Sequence, residues 1–414
     1  MKTEIKQRIE QIRRGEVPER YVKTALGLAP ANWKRYTFGD IYTERKEPGD
    51  EKLPLLMVSI HSGVSDGEVD AAELPKQVKR IEDKSQYKKA VSGDLVFNMM
   101  RAWQGAIGTV RTTGMVSPAY IAAEPNDKVY PLFMDYYSRT PQMINQIDRQ
   151  SYGVTDFRKR LYWDSFAPIG CILPPIEEQQ KIAAILTAQD KVIELKEERL
   201  AEKQRQKKYL MQQLLTGKKR LPGFYGAWSF PKAKELFQSV SDKDHNGDLA
   251  VLSSTQDRGI VPRDEVDIDI KYDACSLVNY KKVSKGNFVI SLRSFQGGIE
   301  YSTYTGLVSP AYTVLSSRKE ISDGYYKQFF KSTDYINRLN VTVYGIRDGK
   351  QISYEDFGRL RIPYPPIKEQ DAIAEVLSAA DREIELLQQD IEQEKQKKKA
   401  LMQLLLTGIV RVKT

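Results

Sequence analysis

The sequence predicts a mixed α/β (α+β) protein built as a pseudo-two-fold internal repeat. Two tandem globular domains are separated and joined by two long helices that pair as an antiparallel coiled coil. Three observations carry this. A stretch of 44 residues at 174–217 returns without a gap at 365–408, with half of its positions identical. Each copy is preceded by a region of about 145 residues whose strand-like runs end on the same short motifs. The order domain, helix, domain, helix then allows the two apolar helix faces to meet only if the second helix runs back along the first, relating the halves by a pseudo-two-fold axis and bringing the termini together.

Length and composition permit this plan. The 414 residues suffice for two domains with their own cores, and 41% hydrophobic with 29% charged residues is ordinary for a soluble protein. Lys and Arg outnumber Asp and Glu by 64 to 55, a net charge of +9 that leans toward a polyanionic partner. The only cysteines, Cys171 and Cys275, point to a reducing compartment without a disulfide framework. No signal-peptide pattern or 18-residue apolar run is present, so no membrane partner and a cytoplasmic location are expected.

Residues 1–28 are not duplicated. Ile5, Ile9 and Ile12 at helical spacing among Lys6, Arg8, Arg13 and Arg14, stopped by Gly15, predict a short basic helix, for which docking on the rest of the chain is favoured over a separate nucleic-acid-binding arm. Residues 29–173 form the first globular domain and 218–364 the second. In the first, Gly93-Asp94-Leu95-Val96-Phe97 precedes Arg101-Ala102-Trp103-Gln104-Gly105; in the second, Gly286-Asn287-Phe288-Val289-Ile290 precedes Arg293-Ser294-Phe295-Gln296-Gly297. Each is an apolar strand ending in Arg-x-aromatic-Gln-Gly. Ser117-Pro118-Ala119-Tyr120 matches Ser309-Pro310-Ala311-Tyr312, and Tyr152-Gly153 matches Tyr344-Gly345. Elsewhere the domains differ almost everywhere, the pattern of one scaffold carrying two different surfaces.

The repeated stretch at 174–217 is the central helix, and residues 365–414 hold the second helix and a tail. Ile182, Ile185, Leu186, Val192 and Ile193 keep a 3.6-residue period, as do Ile373, Val376, Leu377, Ile384 and Leu387. A proline pair sets each start, acidic residues fill the first turn, and Gly217 or Gly408 supplies a left-handed stop. Some 40 residues at 1.5 Å each make a rod of about 60 Å, too long to stand unpaired. Ile182, Ile185, Leu186, Ile193 and Leu214 with Ile373, Val376, Leu377, Ile384 and Leu405 are therefore expected at the helix-pair or partner interface.

Two variable domains, each followed by a helix that opens Pro-Pro-Ile-x-Glu-Gln and closes Leu-Leu-Thr-Gly, resemble the specificity subunit of a type I restriction-modification system. The resemblance covers the chain beyond residue 28. It implies that the globular domains are DNA target recognition domains, each reading one half of a split, asymmetric site on double-stranded DNA. It implies that the helices space the half-sites and dock two methyltransferase subunits that modify adenine N6. It also implies motor-nuclease subunits in the full ATP-dependent restriction complex. S-adenosylmethionine, ATP and Mg are expected on those partners, with no cofactor in this chain. Independently, a pseudo-two-fold object suits two half-sites about one turn of duplex, roughly 34 Å, apart.

No catalytic or metal site is expected in the chain itself. Pro174-Pro175-Ile176 and Pro365-Pro366-Ile367 lack the polar residue that an adenine methyltransferase signature places before the prolines. The Gly345 to Lys350 run has three intervening residues where a phosphate loop needs four, and Gln351 replaces its hydroxyl. Asp242, Asp244, Asn246 and Gly247 begin a calcium-loop pattern that Ser253 breaks where a bidentate Glu belongs. His61 and His245 are too few for a His-based centre. Binding is better supplied. Arg101, Trp103 and Gln104, with Arg293, Phe295 and Gln296, provide residue types that address bases or phosphates at matching positions. Being shared by modules of different specificity, they favour phosphate or scaffold roles over base reading. Tyr152 through Arg158, and Tyr344 through Lys350, are expected as DNA-facing glycine loops carrying a cation. Two alternatives remain open on residues alone: a coiled-coil scaffold joining two protein-binding modules, and a single-chain sequence-specific DNA-binding regulator.

Overall fold

The strand-like runs that precede the two Arg motifs form inner strands of two four-stranded antiparallel sheets with the same order. The computed structural model describes residues 3–50, 52–65, 67, 86–155, 158–256, 258–266, 274–342 and 352–412. In the first sheet Tyr42–Arg45, Tyr120–Pro125, Leu95–Asn98 and Ile107–Thr109 lie side by side; in the second the order is Phe237–Val240, Thr313–Ser317, Phe288–Ile290 and Glu300–Tyr301. Leu95, Val96 and Phe97, like Phe288, Val289 and Ile290, are buried on both sheet faces, which accounts for their unbroken apolar runs. One face of each sheet packs on a helix pair, Pro131–Tyr137 with Pro141–Gln150 in the first and Asp323–Phe329 with Thr333–Thr342 in the second.

The chain divides into two compact units, one holding residues 1–195 with 391–414 and the other residues 196–390. This division cuts across the five linear segments read from the sequence, and the cores give the reason. Ile182, Ala183 and Leu186 from the start of one long helix share a core with Leu405 and Leu406 from the end of the other. In the second unit Ile373, Ala374 and Leu377 share theirs with Leu214 and Leu215. Each unit therefore owns half of both helices, which run continuously over Ile176–Leu214 and Ile367–Leu405.

Within each unit the halves are antiparallel. In the first, Gln189 donates to Glu394 (2.7 Å) and Lys398 pairs with Asp190. In the second, Lys196 pairs with Asp390 (2.8 Å), Lys203 with Glu383 (2.8 Å) and Lys207 with Asp381, the partner's number falling as the helix advances. Asp190 and Asp381, and Lys207 and Lys398, are repeat-equivalent positions 191 apart. The acid of each repeat thus meets the lysine of the other, and a globular side chain joins both pairs, Tyr136 on Asp190 and Gln328 on Asp381.

The junction of globular part and helix is repeated too, and explains the Glu-Gln of the opening motif. Gln179 donates to Pro174 O (2.9 Å) and accepts from Tyr130 N (2.8 Å); Gln370 donates to Pro365 O (2.8 Å) and accepts from Ser322 N (2.9 Å). Glu178, fully buried, accepts from Trp33 Nε1 (3.2 Å) and from both arms of the Arg411 fork (2.6 and 2.7 Å). Glu369, equally buried, accepts from Trp228 Nε1 (2.9 Å) and from Arg220. Arg220 and Arg411 each follow the glycine stop by three residues. Gly217 and Gly408 hold φ of 73° and 70°, the left-handed stop expected of them.

The unduplicated N-terminal helix, Thr3–Arg13, docks on the first unit. Ile5, Ile9 and Ile12 are half-buried, and Arg8 donates to Ile409 O (3.1 Å) while lying 5.4 Å over the Tyr21 ring. Tyr21 in turn donates to Gly408 O (2.6 Å).

Candidate nucleic-acid interface

In the first unit the Arg motif makes one tight turn, Ala102–Gln104, between two sheet strands, ended by Gly105 at φ 107°. Because the turn leaves the sheet at its end, Arg101 and Gln104 project into solvent. Trp103 is half-buried against the core and donates from Nε1 to Met100 O (3.1 Å). The second predicted segment comes to the same place. Leu161 N donates to Met99 O (2.9 Å), and Lys159 lies 4.9 Å over the Trp103 ring, 2.9 Å from Asp148. Tyr152 is exposed with its ring 5.7 Å from that of Tyr162, and Arg158 is exposed beyond it. Between them the loop closes on Gly153, where an added Cβ would stand 2.4 Å from the Arg158 carbonyl oxygen. Arg101, Trp103, Gln104, Tyr152 and Arg158 thus belong to two segments that meet.

The second unit repeats the Arg turn as Ser294–Gly297, with Arg293 and Gln296 exposed. The Phe295 side chain, Tyr344 and Lys350 lie outside the described residues, as does the Gly345 to Lys350 run. Lys331 fastens this turn from the helix side, donating to Gly297 O (2.9 Å) and pairing with Glu300.

Three shared features escaped the sequence reading. Lys88 donates to Tyr120 O (2.9 Å) and Lys281 to Tyr312 O (2.6 Å), each pinning the tyrosine that ends a Ser-Pro-Ala-Tyr motif. Burial lowers the pKa of both lysines and raises that of both phenols, while Arg101 beside Tyr120 and Arg293 beside Tyr312 oppose the rise. The signal available was Tyr87-Lys88-Lys89 recurring as Tyr280-Lys281-Lys282. The second feature is an exposed apolar residue just before each arginine, Met100 and Leu292. The third is the Arg411 and Arg220 pairing, visible as a repeat that continues three residues past its glycine.

On the long helices Ile182, Leu186, Ile193, Leu214, Ile373, Leu377 and Leu405 are buried, and Val376 and Ile384 half-buried. Of the residues expected at the helix-pair or partner interface, Ile185 is 39% exposed, one position off the buried line through Ile182, Leu186 and Ile193. With Val192 and Leu195, also exposed, it makes an apolar stripe facing solvent.

The calcium-like run folds as a turn on its own groups. Asp242 accepts from Asp244 N (2.9 Å) and lies 3.8 Å from Lys282, and His245 accepts from Gly247 N (3.1 Å). Among the described residues no cluster of three His, Cys, Asp or Glu could hold a metal ion, and no helix is long and apolar enough to cross a membrane.

Residues 78–205 and 227–396 match the family described as Type I restriction modification DNA specificity domain. The chain is 25% identical over 430 residues to the putative type I restriction enzyme MjaX specificity subunit of Methanocaldococcus jannaschii, covering 96% of this chain and 98% of that one. To the MjaVIII specificity subunit of the same organism it is 24% identical over 362 residues, 80% and 83% of the two chains. The HsdS subunit from Thermoanaerobacter tengcongensis superposes with a TM-score of 0.52 at 18% identity, over 92% and 98% of the chains. The type I S subunit from M. genitalium gives 0.53 at 12% identity, over 92% and 97%. At these identities the solved structures speak to the fold alone.

Proposed function

The chain belongs to the family of type I restriction-modification specificity subunits, the non-catalytic DNA-recognition components of those systems, and from that premise we propose how its two units divide the work. Each globular part reads one half of a split, asymmetric site on double-stranded DNA. The paired helices set the distance between the halves and dock two methyltransferase subunits, to which motor-nuclease subunits are added for restriction. Adenine N6 methylation with S-adenosylmethionine, and ATP- and Mg-dependent cleavage, belong to those partners.

The observation that carries this reading is the duplicated Arg turn. The same sheet ends on the same exposed Arg and Gln in both units, the arginine near the same Lys-held tyrosine, while the residues around them differ. Arg101 and Arg293 suit phosphates, which are common to both half-sites and fix the register of each unit on the duplex. Tyr152 and Arg158 extend that surface in the first unit. The solvent-facing stripe of Ile185, Val192 and Leu195 suits the docking of a partner subunit, since such a stripe is costly in water.

Exchange of residues 29–173 for the corresponding domain of another family member tests the division of labour. The methylated motif is expected to change in one half and keep the other. A change in both halves would refute it.

A further inference from the structure

Each unit also repeats a hairpin whose frame is shared and whose tip is not. In the first, Val58–Ser59 pairs with Gly63–Val64, Ser59 standing opposite Gly63 at φ 76°. Ser59 Oγ accepts from the backbone N–H of His61 (3.1 Å). In the second, Leu252–Thr255 pairs with Gly259–Pro262, Thr255 standing opposite Gly259, also at φ 76°, and Thr255 Oγ1 accepts from the backbone N–H of Arg258 (3.1 Å). A hydroxyl residue and a left-handed glycine, four positions apart, thus close both turns over three residues.

Both tips lie against the Arg turn. A Cβ on Gly105, which ends the Arg101 turn, would meet Ile60 O at 3.6 Å; one on the equivalent Gly297 would meet the Gln256 side chain at 2.9 Å. Lys331 donates to Gln256 O (3.2 Å) as well as to Gly297 O, so one ammonium joins hairpin and Arg turn. In the first unit the Val58 backbone lies close enough to the Tyr120 phenol to oppose the rise that burial gives its pKa.

What the frames present differs. One tip carries His61 and Ser62, the other Gln256 and Arg258, all four exposed, with Asp257 outside the described residues. A phosphate contact has no reason to change between half-sites, and a scaffold residue would face inward. Exposed polar side chains that differ, held beside a repeated cation, are what can distinguish one base sequence from another. Arg258 is also steadied: Nη2 donates to Glu265 O (3.0 Å), and among the described residues its guanidinium has no further hydrogen-bond partner.

We propose that the two hairpin tips are base-reading elements, His61 with Ser62 in one half-site and Arg258 with Gln256 in the other, with Arg258 addressing a guanine. The inference rests on the split-site reading given above. Its test uses the complex isolated through a tag on this chain, supplied with S-adenosylmethionine and a duplex library randomised in both half-sites, with methylated adenines read at base resolution. Arg258→Ala, and Arg258→Lys, which keeps the charge but not the fork, are each expected to lose about ten- to hundredfold discrimination at one or two positions of one half-site. His61→Ala is expected to relax the other half-site only. Variants that keep every wild-type preference, or that lose rate uniformly without any change of preference, would overturn the proposal. A wild-type complex without a split preference would overturn the parent reading, and this one with it.

Discussion

At Gly153 the backbone of the Tyr152 loop passes so close to Arg158 that no side chain fits, so Gly153→Ala must push the two sides of the loop apart. Strain of about 1–3 kcal/mol is expected at that point. The loop lies at the surface and relieves that strain by rearranging locally, so the variant should keep its global unfolding midpoint while DNA affinity of the complex, measured by anisotropy titration, falls about tenfold. Undiminished affinity would take the loop away from the DNA. Arg101→Ala and Arg293→Ala address the shared turn. Loss of one phosphate contact should weaken binding across all sequences and lower the slope of log K against log salt by about 0.9. A lowered melting temperature with an unchanged slope would make these arginines scaffold. The sequence set Arg101, Gln104, Arg293 and Gln296 at matching positions but left phosphate and scaffold roles open; their exposure follows from the turns that the structure shows. The lysine clasps were not legible as pairs. The repeated Tyr-Lys-Lys marks Lys88 and Lys281, but they bind main-chain carbonyls, which carry no residue identity that would reveal the partner.

At the scale of elements, the long helices owe their anchoring to buried glutamates as well as to an apolar stripe. Glu178→Gln keeps an acceptor for Trp33 but leaves Arg411 without its charge partner, at a cost of about 2–3 kcal/mol in chemical denaturation of the first unit. Glu369→Gln should do the same to the second through Arg220. An unchanged transition in both would mean that water serves the arginines equally well. The helices themselves, their proline starts and their glycine stops were all readable, since a 3.6-residue period and a left-handed glycine are local properties. The ion pairs were half readable. Equal spacing of Glu178 and Glu369, and of Arg220 and Arg411, shows that the residues repeat, but the pairing of an acid from one repeat with an arginine from the other requires the antiparallel fold. Ile185 shows the limit of periodicity, which places a residue near a stripe without saying on which side of its edge it falls.

For the whole molecule, the repeat predicted two globular parts and two antiparallel helices, and the structure follows that plan. Where one unit ends and the other begins was not legible, because sequence order divides the chain at the helix starts whereas burial divides it in mid-helix, at residues 195 and 391. Under the proposed function, this chain alone dictates which adenines are methylated. The base-resolution methylome of cells expressing the partner subunits, with and without this gene, tests it most directly. Adenine methylation at one split, asymmetric motif is expected to vanish when the gene is removed and to return when it is restored; an unaltered methylome would refute recognition by this chain.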